Sequence, residues 1–470
     1  MFSAEDRMIH AAADAMGGAD AIRGAKTLVI EGSGASPNLG QNRTPQDELP
    51  VWRVSTYKRS MDLVNGRMRT DQLRVAQFLF AGATVQRQNQ GVDGDVAFNI
   101  SDDGTMTRAS AQAAQDRRME MLHHPLTALR AALEPGAKMG TPHFKGDFQA
   151  IDVTTSHGDA FTLTIDPATN LPHSVTTMAY NANLGDVAIE TLFDKYETAD
   201  GRLKLPRKLK TTLDKYVQLD LDVDRNSVDA PLENMTATDK VKATDAPGPL
   251  HENVTAQVVG KGIWWLAGTG NHRSVLFEFD DHLTLFEAPL NEARTKAVIE
   301  KARSIVPSKP LTTAIVSHHH FDHSGGLRTA VAEGLSIITY SGNVDLFKEL
   351  YERKHSIQED ALAKNPKPLK ITPVADHLKL KDNSLEVDLY YTKDNPREGT
   401  NLFAYVPRDR ILVQADLYDS TWLQHPWGDN LAHNMMLRGL LPATDVPIHG
   451  AMEPYPTVLQ TIALKKSTRR

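Results

Sequence analysis

His318-His319-His320-Phe321-Asp322-His323 stands directly after the apolar run Leu311-Thr312-Thr313-Ala314-Ile315-Val316-Ser317 and directly before Ser324-Gly325-Gly326. The run reads as a buried strand and the glycines as a tight turn. In extended backbone, residues two apart project to the same side. His318 and His320 can therefore face one metal ion while His319 points away, and the turn offers Asp322 and His323 to a second position nearby. Imidazole nitrogen and carboxylate oxygen suit zinc at about 2.0–2.2 Å, and other divalent ions accept the same donors. A histidine run can also be a tag or a metal-sticky surface tract. Such a tract is terminal, uniform and flanked by linker residues. This one is internal, interrupted by Phe321 and Asp322, and follows a buried strand.

Around this motif the chain alternates strand and helix patterns. Strands are expected at residues 254–260, 263–267, 274–279, 283–287, 311–317 and 335–339, and helices at 291–305 and 326–333. That alternation indicates an α/β layered domain over residues 250–462. The turn-rich stretch Thr244-Asp245-Ala246-Pro247-Gly248-Pro249 reads as a linker. Residues 1–245 have a different character. A helix is expected over 5–16, stopped by Gly17-Gly18. Short strands follow, at 26–31 and 52–61 among others. Val217, Leu219, Leu221 and Val223 alternate with polar residues, the period of a strand with one wet face. Helical spacing over 110–123 and 125–133 interrupts the strands. Many antiparallel strands with a helix suggest a curved sheet wrapped on that helix. His123-His124 are neighbours beside a proline, and neighbours on a helix point about 100° apart, so they make a poor metal pair.

The formal net charge of −7 and the lack of a basic excess argue against nucleic acid as a partner. The basic end Lys465-Lys466-Ser467-Thr468-Arg469-Arg470 reads as a solvated terminus. Cysteine is absent, which excludes disulfides, thiolate zinc sites and a cysteine nucleophile. No apolar run approaches the roughly 18 residues of a membrane helix. Met1-Phe2-Ser3-Ala4-Glu5-Asp6 turns acidic at once and does not read as a signal peptide.

His318-x-His320-x-Asp322-His323, with its strand and turn, resembles the signature of the metallo-β-lactamase superfamily. The resemblance extends over about residues 254–455. Arg410-Ile411-Leu412-Val413-Gln414-Ala415-Asp416-Leu417 is similar to the strand that ends in the family's metal-bridging aspartate, which implies that role for Asp416. Val446-Pro447-Ile448-His449-Gly450 is similar to the final histidine motif, which implies His449 on the second metal. The resemblance implies an αββα sandwich, one or two zinc ions, and Asp322 as both ligand and catalytic residue. Glu287 falls where relatives carry a buried acid and would orient a ligand histidine; a solvated acid at a strand end is the alternative. One element departs from the pattern: Arg397 takes the place of a histidine before the strand at 401–407. Arginine is permanently charged and is no zinc ligand. Three outcomes follow: one metal at the second position; two, with a substitute ligand from Asp394, Glu398, His425 or His433; or a degraded site. Arg397 could instead bind an anionic substrate group, with Trp422 and Trp427 lining an apolar pocket. Trp264-Trp265 read as structural.

The N-terminal part resembles the half-barrel of bacterial envelope lipoprotein carriers over roughly residues 5–240. Met16-Gly17-Gly18-Ala19-Asp20-Ala21, Lys26-Thr27-Leu28-Val29-Ile30-Glu31-Gly32 and Asp166-Pro167-Ala168-Thr169-Asn170-Leu171-Pro172 carry that resemblance. It implies a periplasmic or secreted protein, with a cytoplasmic one as the alternative. The whole suggests an enzyme acting on a small molecule, in which zinc-bound hydroxide hydrolyses an ester, lactone or related acyl compound. A β-lactamase is the nearest alternative. A ligand- or lipid-binding protein with a degenerate metal site is the alternative of a different class. The sequence leaves the oligomeric state open.

Overall fold

In the computed structural model, the described residues are 3–78, 84–248, 252–422, 425 and 427–467. Pro249 of the expected linker and Thr468-Arg469-Arg470 of the basic end lie outside them. The chain forms two compact units. The first comprises Met1–Asn38, Val51–Ala179 and Val187–Gly248; the second comprises Leu39–Pro50, Tyr180–Asp186 and Pro249–Arg470. Two short segments from the N-terminal half therefore group with the C-terminal unit. Both are polar, turn-rich stretches between strands, and their composition does not say which unit they join.

The first unit is a large β domain built on one 14-stranded sheet. Helix Ala4–Met16 opens it under a capping box made by Ser3 and Asp6, and Gly17 ends it with φ 126°. Strand Thr27–Pro37 pairs antiparallel with Val51–Asp62 on one side and Tyr216–Val228 on the other. Helical spacing over 110–133 resolves into two helices, Ala111–Met121 and Pro125–Ala132, capped by Ser110 and His124. Leu126 and Leu129 pack into the unit's core with Ile9, Met16, Leu28 and Val223. His123 is buried between the hydroxyls of Thr191 and Thr177, at 2.9 and 2.8 Å. Burial drives its pKa, and that of His124, down to about 3.

The second unit is a two-sheet sandwich with helices outside. Seven strands lie side by side in chain order: Thr255–Gly260, Ile263–Ala267, Arg273–Glu278, Leu283–Phe286, Leu311–Ile315, Ser336–Tyr340 and Ile371–Val374. The first four pair antiparallel; from Leu283–Phe286 onward the pairing is parallel. The other sheet contains His377–Lys381, Glu386–Tyr391, Leu402–Val406, Ile411–Gln414, Thr444–Pro447 and Glu453–Pro454. Its one parallel pair is Ile411–Gln414 with Thr444–Pro447. Phe277, Phe286 and Ile315 of one sheet meet Leu389, Val406, Val413 and Val446 of the other in one hydrophobic core. Each such side chain contributes about 1.5–3 kcal/mol by burial. Helices Glu292–Ile305 and Leu327–Ala332 pack on the larger sheet. Gly428–Leu437 and Tyr455–Ser467 cover the smaller one through Leu431, Met435, Val458 and Ile462. The ends of the parallel strands are where such layered folds place their ligands.

Candidate metal centre

The side chains of the histidine motif, Glu287, Asp416 and His449 come from the ends of four strands. His318 to His323 follow strand Leu311–Ile315 and enter the single helical turn Phe321–Ser324. Glu287 follows Leu283–Phe286, Asp416 follows Ile411–Gln414, and His449 follows Thr444–Pro447. Gly325 and Gly326 are required by packing: a Cβ on either would overlap the carbonyl of Leu290 or the side chain of Thr295. Glu287 and Asp416 both sit in the left-handed region, at φ 81° and 61°. Such conformations are unfavourable for non-glycine residues and concentrate at functional sites.

At the second position, His323 Nε2 lies 3.1 Å from His449 Nε2. Asp416 Oδ1 is 3.1 Å from His449 Nε2 and 3.3 Å from His323 Nε2. Asp322 Oδ2 is 3.3 Å from His323 Nε2 and 3.7 Å from His449 Nε2. The other ring nitrogens fix the tautomers. His323 Nδ1 donates to Glu287 Oε2 at 2.7 Å, and His449 Nδ1 donates to the carbonyl of Asn271 at 2.7 Å. In the neutral rings both Nε2 atoms then carry lone pairs, and they converge with two carboxylate oxygens. Asp416 Oδ1 is buried, and these two imidazole nitrogens face it. Four acceptors at such distances need a positive charge between them. Without a metal, that charge comes as protons. Burial lowers the pKa of His449, but Asp322 and Asp416 outweigh it and raise it to about 9. His323 is driven up likewise by Asp322, Asp416 and Glu287 against its burial. The donor set fits a divalent cation.

The first position is different. His318 Nε2 and His320 Nδ1 are 3.1 Å apart and face Asp416 Oδ2 at 3.5 and 3.8 Å. Arg397 Nη2 already holds that oxygen at 2.6 Å. Burial would raise the pKa of Asp416, but Arg397 and then His323 hold it well below the usual carboxylate range. The Arg397 guanidinium lies 5.4 Å from the ring of Trp422 and 5.3 Å from that of Trp427, cation–π distances. Trp427 is 2 % exposed and donates its indole N–H to the carbonyl of Asp416 at 2.8 Å. Both tryptophans thus flank Arg397, and Trp427 also holds the backbone of Asp416. Among the weighed substitute ligands, Glu398 is at the centre: its Oε2 is 2.8 Å from His320 Nε2. His425 stacks on Tyr418 instead, and Asp394 and His433 are exposed. His319 bonds Thr400 Oγ1 at 2.8 Å, but it does not turn away as the strand period leads one to expect: its Nδ1 lies 3.5 Å from Glu398 Oε1, and with His320 and Glu398 it forms another group close enough to hold an ion.

Sequence reasoning missed four residues here. His272 Nε2 lies 3.3 Å from Asp322 Oδ2 and, with Asp322 and His449, forms a further group close enough to hold an ion. Asn271 supplies the carbonyl that fixes His449. Gln41 and Asn42 arrive from the segment Leu39–Pro50: Gln41 Nε2 donates to Asp322 Oδ1 at 3.0 Å, and the carbonyl of Asn42 accepts from His320 Nε2 at 2.9 Å. None stands in a recognisable pattern, and the last two lie some 280 positions from their partners. The side chains of His318, His320, His323 and Asp416 are nearly inaccessible, whereas that of Asp322 is 26 % exposed. Asp322 therefore marks the open face.

No family model matches the chain. A linear primary-alkylsulfatase from Pseudomonas sp is 27% identical over 105 residues, 22% of this chain and 15% of that protein, so the chain spans only a small part of this relative's length. Among solved structures, a metallo-β-lactamase from Pontibacter korlensis aligns with 46% of this chain and 99% of its own at 14% identity and a TM-score of 0.37. One from Hirschia baltica aligns with 45% of this chain and 97% of its own at 15% identity and a TM-score of 0.35.

Proposed function

We propose that this protein is a metal-dependent hydrolase whose centre holds one zinc ion between Asp322, His323, Asp416 and His449. The observation that carries this reading is the convergence of the His323 and His449 Nε2 atoms with two carboxylate oxygens, each Nδ1 being committed as a donor elsewhere. Arg397 fills the charge role of a second ion beside Asp416 Oδ2. When bound, a divalent ion supplies Lewis acidity and brings the ionisation of water into the neutral range. Glu287 and Asn271 hold the two imidazoles in the ligating tautomer. Asp322, on the open face, accepts the proton of the attacking water at its carboxylate and passes it toward the leaving group. Arg397 keeps Asp416 ionised and in place.

The substrate of first choice is a small ester, lactone or related acyl compound, cleaved by water into an acid and an alcohol. The alkylsulfatase relative favours a second reading, a sulfate ester cleaved by water into an alcohol and hydrogen sulfate. Purified protein is assayed on aryl esters, lactones and a linear alkyl sulfate, before and after chelation and zinc restoration. Turnover of an acyl substrate that is lost on chelation and regained with zinc is the expected result. Release of sulfate alone moves the assignment to the second reading. Chelation without effect on turnover contradicts the metal-dependent mechanism.

A further inference from the structure

The segment Leu39–Pro50 connects strands Thr27–Pro37 and Val51–Asp62, yet it belongs to the unit that carries the metal centre. Its residues meet that centre at successive points. Gly40, at φ 73°, lies against the ring of Phe321, inside the histidine motif, where any Cβ would overlap the ring. Gln41 Nε2 donates to Asp322 Oδ1. Asn42 is buried at 7 % exposure, and its backbone carbonyl accepts from His320. Arg43 Nε donates to the carbonyl of Asn395 at 3.1 Å, and the carbonyl of Arg43 accepts from the N–H of Gly399 at 2.8 Å. The segment is thus pinned on both sides of the centre, by the motif and by the loop that carries Arg397 and Glu398.

We infer that Gln41 is a positioning residue of the metal centre, fixing Asp322 so that only Oδ2 turns toward His323 and His449. This rests on the reading that Asp322 is a ligand. A carboxylate has two equivalent oxygens and rotates freely about its last bond. Asp322 is the most exposed member of the set, so surrounding packing does little to stop that rotation. The Gln41 amide takes up Oδ1, and an uncharged donor does so without neutralising the carboxylate. What remains for the ion is one oxygen in one direction. Loss of a group that orients a ligand costs about 10–100-fold in metal affinity or activity.

The test is Gln41→Met, which keeps length and volume and removes the donor. The Zn²⁺ dissociation constant is measured by chelator competition, and the melting temperature is measured on the metal-free protein. The expected result is zinc binding weakened by about 10–100-fold with an unchanged apoprotein melting temperature. Gly40→Val, which pushes the segment off Phe321, is expected to weaken zinc in the same direction. Wild-type affinity in both variants overturns the inference. A fall in apoprotein melting temperature that accounts for the whole loss of affinity overturns it too, in favour of a purely structural segment. Wild-type protein that binds no zinc overturns the metal-centre reading itself, a result distinguishable from either.

Discussion

Glu287→Gln tests the geometry at the centre with a change of one atom. Glu287 Oε2 accepts from His323 Nδ1 at 2.7 Å, and Oε1 accepts from the backbone N–H of Ser317 at 2.9 Å. Both side chains of the Glu287–His323 pair are wholly inaccessible to solvent. A carboxylate can accept from two donors at once; a carboxamide has one oxygen and one NH₂. In either orientation of glutamine, an NH₂ faces the Ser317 N–H or the His323 Nδ1–H. A buried donor left facing a donor costs about 1–3 kcal/mol. Relief by flipping the His323 tautomer would move the proton to Nε2 and cancel the lone pair offered to the metal. The same 1–3 kcal/mol corresponds to roughly 5–150-fold in a binding constant, which agrees with the range expected for a group supporting a ligand histidine. The assay is chelator competition for zinc on the folded variant, with circular dichroism as the fold control. Zinc affinity equal to the wild type's would refute the claim that Glu287 sets the tautomer of His323.

Four further outcomes follow from the same arrangement. Asp322→Ala is expected to lower turnover by about 10²–10⁴-fold, the scale of general acid–base catalysis, with the fold intact by circular dichroism; normal turnover removes Asp322 from the mechanism. Arg397→His places an imidazole beside His318, His320 and Asp416 Oδ2, and elemental analysis is expected to show the metal content rising from one toward two per chain. In the metal-free protein His449 is held at about 9, so zinc must displace a proton at neutral pH. Apparent zinc affinity should therefore climb from pH 6 to pH 9 by about tenfold per unit per displaced proton, and a flat profile contradicts the assignment. Because that folded-state pKa exceeds the ordinary 6.5, its stabilisation of the metal-free form is fully present below about 6.5 and is lost as pH rises through 9. The metal-free melting temperature should fall over that window.

Much of the second unit is legible in the sequence because its elements are short, regular and punctuated. Strand Leu311–Ile315 is short and rich in β-branched and apolar residues, and helix Glu292–Ile305 begins at the N-cap Asn291. The histidine motif announces itself because several potential ligands stand together between a strand and a tight turn, although the strand period alone did not foresee His319 beside Glu398. Asp416 and His449 were reached only through the pattern of a known family, since a lone aspartate or histidine after a strand says nothing by itself. Arg397 stood out as a departure, but its neighbours did not show that the guanidinium would meet Asp416 while two indoles flank it. His272 and Asn271 sit in a loop with no repeating pattern, and their approach to the centre depends on how strands Ile263–Ala267 and Arg273–Glu278 are joined. Gln41 and Asn42 were out of reach for a different reason: the segment Leu39–Pro50 belongs to the second unit although the strands before and after it belong to the first. No local propensity encodes that membership. The same holds for Tyr180–Asp186, where Asp186 binds the backbone N–H groups of Ser356 and Ile357.

The central claim is a single cation held by Asp322, His323, Asp416 and His449, with Arg397 in place of a second. Metal content of the purified protein after saturation with zinc and removal of excess, measured by elemental analysis on wild type and on His449→Ala, tests it most directly. The account predicts one zinc per chain in the wild type and a value near zero in the variant. Two zinc ions in the wild type, or one that persists in the variant, would contradict it.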